Sequence, residues 1–235
     1  WWLVVIIVTV LAFLAGRSWK LCLGVVVSFL AIGYFGMWED TMRTLSIITV
    51  CTLLAIGIGI PIGILMARSN RAQNIITPLL DVMQTMPAFV YLIPVVMLLG
   101  IGKIPGLIAV IIYAIPPVIR LTNLGIRLVD KEVLEAATAY GANKTQRLIG
   151  VQLPLAMPTI MAGVNQTIMM ALSMVVIASM IGVKGLGQPV LKSITNQYFA
   201  LGLLNGLAIV ALAIIFDRIS QAYAKRTQEH LGGHS

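Results

Sequence analysis

The feature that most constrains this chain is a succession of apolar runs, each too long and too close to the next for a water-soluble core. They cover approximately residues 1–15, 21–37, 44–66, 75–100, 104–119, 157–181 and 198–216, with short charged breaks between them. A hydrocarbon layer of about 30 Å takes roughly 20 helical residues to cross, so each run reaches across or nearly across a membrane. Inside lipid every backbone N–H and C=O needs an internal partner, which leaves helices or closed barrels. Barrel strands read as alternations of about ten residues, whereas these runs are continuous, and an all-helical membrane bundle of about seven spans is expected. Only 10% of the 235 residues are charged, against roughly 25% in soluble domains. The mean hydropathy of +0.99 agrees.

The net charge of +8 would suggest nucleic acid in a soluble protein, but in a membrane chain the placement of cations matters more than their sum. Twelve fall on one side of the spans: Arg17, Lys20, Arg68, Arg71, Arg120, Arg127, Lys131, Lys144, Arg147, Arg218, Lys225 and Arg226. Four fall on the other, Arg43, Lys103, Lys184 and Lys192, beside Glu39 and Asp40. The positive-inside bias puts the twelve in the cytoplasm together with the C-terminus. A chain opening on Trp1 rather than Met is expected to lack its native start. Three units are expected: peripheral spans over 1–43, a transporting core over 44–217, and a cytoplasmic tail over 218–235.

Catalytic sets are missing from the sequence. No GxxxxGK[ST] loop occurs, His230 and His234 stand in the tail, and Cys22 and Cys51 lie in apolar runs without metal-ligand spacing. The glycine cluster Gly182–Gln188, GVKGLGQ, follows a span and reads as a tight external turn. An enzyme is not expected, and neither is a cofactor held by this chain. Proton-driven transporters carry ionisable groups at depth. Here Asp81 is the one acid inside an expected span, shallow on the cytoplasmic side.

Two segments carry the polar and bending residues. The fourth has Pro78, Pro87 and Pro94, and each proline removes a donor and crowds the carbonyl four residues back. It should bend, either to line a watery path or as a structural kink. In the sixth, Asn165, Met169 and Ser173 are spaced by four and share one helix face. That face either lines a path or bonds to neighbouring helices.

Between Arg120 and Pro158 the chain turns polar. Asp130 can cap a helix over KEVLEAATAY, Gly141 permits a left-handed turn, Asn143 can cap a second short helix, and Pro154 should end it. Val133, Leu134, Ala137 and Tyr140 give the first helix an apolar face. This hairpin, 130–156, either docks a partner or folds against its own bundle.

The string of Glu135, Ala136 and Ala137, then three residues, Gly141, nine residues and Val151-x-Leu153-Pro154 resembles the signature of permease subunits of bacterial ABC importers. Val151 stands where that family usually has isoleucine. QTMPAFVYLIP (84–94), VQLPLAMPTIMAGVNQT (151–167) and ALSMVVIASMIGVKGLGQ (171–188) extend the likeness to the proline/glycine betaine class. It is weakest over PVLKSITNQYFALGLLNG (189–206). The resemblance implies a type I importer fold and an assembly of two permease copies, two cytosolic ATPases that bind ATP and Mg²⁺, and an external substrate-binding protein. It implies that Glu135, Ala136, Ala137, Gly141, Leu153 and Pro154 couple to the ATPase. It also implies a path lined by Gln84, Met86, Pro87, Phe89 and Tyr91 with Asn165, Met169 and Ser173. Read from residues alone, a self-contained secondary transporter or channel, or a structural scaffold, stays open.

Overall fold

A computed structural model describes residues 2–16 and 19–232, with side chains through Ala222 save those of Ala15, Gly16 and Lys20. Arg17 and His234 fall outside the described residues, as do the side chains of Lys20, Lys225, Arg226 and His230. Twelve α-helices run in order: α1 (Trp2–Gly16), α2 (Trp19–Tyr34), α3 (Trp38–Arg68), α4 (Asn70–Thr85), α5 (Leu92–Leu99), α6 (Lys103–Ala114), α7 (Pro116–Arg127), α8 (Lys131–Ala139), α9 (Lys144–Arg147), α10 (Leu153–Ala178), α11 (Gly187–Asn196) and α12 (Phe199–Gly232). A 3₁₀ turn, Ala88–Tyr91, joins α4 to α5, and a π turn, Leu148–Gln152, joins α9 to α10. No strand occurs among the described residues.

Among the described residues four continuous helical stretches are long and apolar enough to cross a membrane: Trp38–Arg68, Lys103–Arg127, Lys144–Ile181 and Phe199–Ala222. A fifth candidate is the pair Asn70–Thr85 and Ala88–Leu99, bent by 113°. Trp2–Leu14 and Leu21–Tyr34 are shorter apolar helices. The seven expected segments are thus all helical, with altered limits. The third begins six residues before Thr44, because Glu39 and Asp40 sit in its first turn, where acids favour the positive end of a helix.

α10 is the hub, packing against α3, α6, α7, α11 and α12, while α1 and α2 pair with each other and rest on α12. Close approach of α3 to α7 depends on missing side chains. A Cβ at Gly63 would lie 2.6 Å from the Thr122 Cβ and 2.8 Å from the Ile119 carbonyl, and one at Gly59 would strike Val118. Between helices in lipid, packing of small residues replaces the hydrophobic drive. Among the described residues three apolar clusters result, one of them joining Ile126, Leu148, Ala156 and Ile160 at the base of the hairpin.

Pro154 does not end a helix, contrary to the sequence-based expectation. It lies in the first turn of α10, and the helical run continues from Lys144 to Ile181. The π turn before it shifts the ladder from the i−4 to the i−5 carbonyl, as in the bond from Leu153 N–H to the Leu148 carbonyl. A proline is tolerated in the first turn of an α-helix, where its missing donor disturbs least.

Candidate functional site

The polar hairpin closes on itself. Asp130 caps α8 by accepting from the Glu132 N–H at 2.9 Å. At the other end Gly141 takes φ +82°, its N–H donates to the Thr138 carbonyl at 2.9 Å, and the Ala142 N–H donates to the Ala137 carbonyl at 3.0 Å. This pair of bonds is a Schellman closure, which satisfies the last carbonyls of a helix and needs a left-handed residue. Asn143 then starts α9 with a reciprocal capping box, its side chain accepting from the Gln146 N–H at 2.9 Å while Gln146 Oε1 accepts from the Asn143 N–H at 2.9 Å. Arg147 ties the two helices by donating to Thr138 Oγ1 at 2.8 Å.

No residue of α8 is buried. The expected single apolar face splits in two: Leu134 and Ala137 are half-buried, whereas Val133, Ala136 and Tyr140 face outward. Tyr140 is 94% exposed. Glu132 and Glu135 are also exposed and, among the described residues, neither forms an ion pair. Leu153 and Pro154 lie at the root of the hairpin, half-buried. The arrangement offers a rigid apolar ridge edged by carboxylates.

The fourth segment breaks rather than bends smoothly. Of its three prolines only Pro87 stands at the break. Met86 before it is extended, φ −71° and ψ 133°, as a residue preceding proline tends to be. Pro78 is accommodated inside α4, and Pro94 falls in the first turn of α5. Pro87 has no N–H for the carbonyl four residues back, Met83. The Tyr91 hydroxyl donates to that carbonyl instead. Its ring meets Tyr113 edge-on, centroids 5.5 Å apart. Tyr91→Phe keeps the ring contact and orphans the Met83 carbonyl. The expected loss is about 1–3 kcal/mol, read as a lower melting temperature together with faster amide exchange around 83–91.

Met86, Tyr91 and Met169 pack on one core cluster, and the 3₁₀ turn touches both α6 and α10. The structure therefore brings these members of the two expected path-lining sets together. Gln84, Pro87, Phe89 and Ser173 are exposed on the outside of this chain. Asn165 points elsewhere, its Nδ2 donating to Asp217 Oδ1 of α12 at 2.8 Å. Gln221 Nε2 reaches both Asp217 oxygens at 2.7 and 2.8 Å. Asp217 was not expected to matter, since the seventh run was ended at Phe216. The available signal was depth: a buried-side Asn on one helix and an acid at the matching level of its antiparallel neighbour. Asp81, likewise, is not free, because Arg120 of α7 donates to its Oδ1. No cluster of three or more His, Cys, Asp or Glu able to hold a metal occurs among the described residues.

Residues 59–229 match the family described as binding-protein-dependent transport system inner membrane component. The chain is 57% identical over 199 residues to the glycine betaine/proline betaine transport system permease protein ProW of Escherichia coli (strain K12), covering 85% of this chain and 56% of that protein. It therefore spans little more than half of that relative. It is 50% identical over 213 residues to the glycine betaine/carnitine transport permease protein GbuB of Listeria monocytogenes, covering 91% of this chain and 76% of that one. Its fold is that of a chain of the MetNI methionine ABC transporter in an inward-facing conformation, with a TM-score of 0.72 at 17% identity over 81% of this chain and 95% of that one. The hairpin signature, the helical membrane fold and the family match together establish that the chain belongs to the binding-protein-dependent inner-membrane transport components.

Proposed function

We propose that this chain is the membrane-spanning subunit of an ATP-driven importer carrying a small compatible solute of the glycine betaine or proline betaine kind across the bacterial inner membrane. The observation that carries the reading is the self-closed hairpin with its exposed ridge of Val133, Ala136 and Tyr140 beside Glu135. It is seated in a groove on a cytosolic ATPase, one on each of two permease copies. The twelve-to-four cation count supports a cytoplasmic hairpin and C-terminus. Residues 44–217 form the transporting core, 1–43 the peripheral spans and 218–235 the tail. The names of the relatives support the solute class. A zwitterion with a quaternary ammonium carries no titratable proton, which agrees with Asp81 and Asp217 both being held by neighbouring side chains.

ATP closes the two ATPases together, the seated hairpins move with them, and the bundles rock between inward and outward openings around Gln84–Tyr91 and the Asn165–Ser173 face. Hydrolysis resets the cycle. Only a differential free energy between the two states drives such a change, and here ATP supplies it outside this chain. The test is uptake of labelled glycine betaine into vesicles holding the chain with its ATPase, the external binding protein being added. Uptake should require both proteins and ATP. Transport by the chain alone, down or up a gradient, would overturn the reading in favour of a self-contained carrier or channel.

A further inference from the structure

At the end of the bundle opposite the hairpin, three cations from three separate elements converge on one open cavity of about 550 Å³. Arg43 comes from the first turns of α3, Lys103 opens α6, and Lys184 stands in the turn between α10 and α11. They are three of the four cations that the charge pattern leaves on the outer side, where such residues are otherwise sparse. Glu39 also lines the cavity, and Met42 and Ile47 contribute apolar walls.

Thr44 Oγ1 donates to the Asp40 carbonyl at 2.8 Å and accepts from the buried Leu186 N–H at 2.9 Å, which pins the Lys184 turn to α3. Arg43 is engaged locally, paired with Glu39 and, at 3.5 Å, with Asp40. Those two acids are thereby occupied. Lys103 and Lys184 are exposed and form no ion pair among the described residues.

We infer that this cavity is the docking socket for an acidic surface of the external solute-binding protein, with Lys103 and Lys184 as its recognition charges. The inference rests on the import reading above, which places this end outside. Apolar walls edged by exposed charges are the anatomy of a protein interface, with a dry centre and a wet rim. A site for a small anion would gather its donors around one desolvated point, whereas these ammonium groups stand in water on separate elements. The fitting partner carries carboxylates flanking a protruding apolar side chain. Charges at such a rim act mainly on encounter rate and salt dependence.

The experiment titrates the binding protein, loaded with glycine betaine, against ATP hydrolysis by the reconstituted complex in phosphatidylcholine vesicles. For Lys103→Glu with Lys184→Glu, the half-saturating concentration should rise roughly ten-fold and its salt dependence should flatten. The maximal rate and the hydrolysis without binding protein should be unchanged. Lys103→Gln and Lys184→Gln singly should give smaller shifts in the same direction, and the paired arginine variants should behave as wild type. Unchanged half-saturation in the charge-reversed complex overturns the inference alone. So does a shift seen only when anionic lipid is added to the vesicles, which would assign the lysines to lipid headgroups. A wild-type complex that hydrolyses ATP but is not stimulated by the binding protein overturns the import reading and the socket with it.

Discussion

Gly141→Val is expected to cut ATP-driven uptake by about two orders of magnitude while leaving the membrane bundle as stable as before. Gly141 holds φ +82°, a region that a β-branched residue enters only at a cost of roughly 3 kcal/mol, or two decades in an equilibrium. The Schellman bonds of Gly141 and Ala142 to Thr138 and Ala137 close α8 and aim Asn143 at the start of α9. If that turn opens, the Arg147 to Thr138 tie goes with it, and the ridge of Val133, Ala136 and Tyr140 loses its fixed relation to α10. The strain is conformational and not steric, since a Cβ at Gly141 would meet nothing within 4 Å. Melting of the bundle should therefore match the wild type, and ATP hydrolysis should no longer respond to the solute-loaded binding protein. Import at the wild-type rate by this variant would show that the turn does not couple the two machines.

The membrane spans were legible because lipid allows so few solutions. An apolar run must satisfy its own backbone, and a helix does this without reference to any other segment. The hairpin caps were legible for the same reason of locality: Asp130, Gly141 and Asn143 act through bonds that span two to five residues. What depended on distant segments was not. The break at Pro87 rather than at Pro78 or Pro94 turns on Tyr91 being placed to replace the missing donor. Asn165 was grouped with Met169 and Ser173 by spacing, but its partner is fixed by the depth at which α10 and α12 cross. Periodicity put Val133, Leu134, Ala137 and Tyr140 on one face, whereas packing of α8 on α9 and the π turn separates them into an inner and an outer pair.

Inserting one alanine between Arg147 and Leu148 is expected to abolish coupling altogether, and by a different route. A π turn is an α-helix carrying one extra residue, so Leu148–Gln152 already absorbs one and leaves no room for a second. The hairpin and α10 would then rotate against each other by about 100°. As built, the stem meets two demands at once: Leu148 stays buried, 6% exposed, against Ile126, Ala156 and Ile160, and α8 stays wholly at the surface. A stem turned by that amount cannot meet both. Keeping Leu148 inside would swing the ridge away from its partner, while keeping the ridge in place would expose Leu148 at a cost of about 1.5–3 kcal/mol. Uptake should fall to background, with only a modest drop in melting temperature and with the hairpin caps intact. Gly150 is exposed, and a Cβ there would touch nothing within 4 Å, so its removal deletes no contact of its own. Deleting Gly150 from the insertion variant should restore the count, the single bulge and the uptake. Restoration would show that the rotational setting of the hairpin is what the ATPase reads. Unimpaired uptake in the insertion variant would mean that the hairpin is free to turn on its stem and transmits no fixed motion.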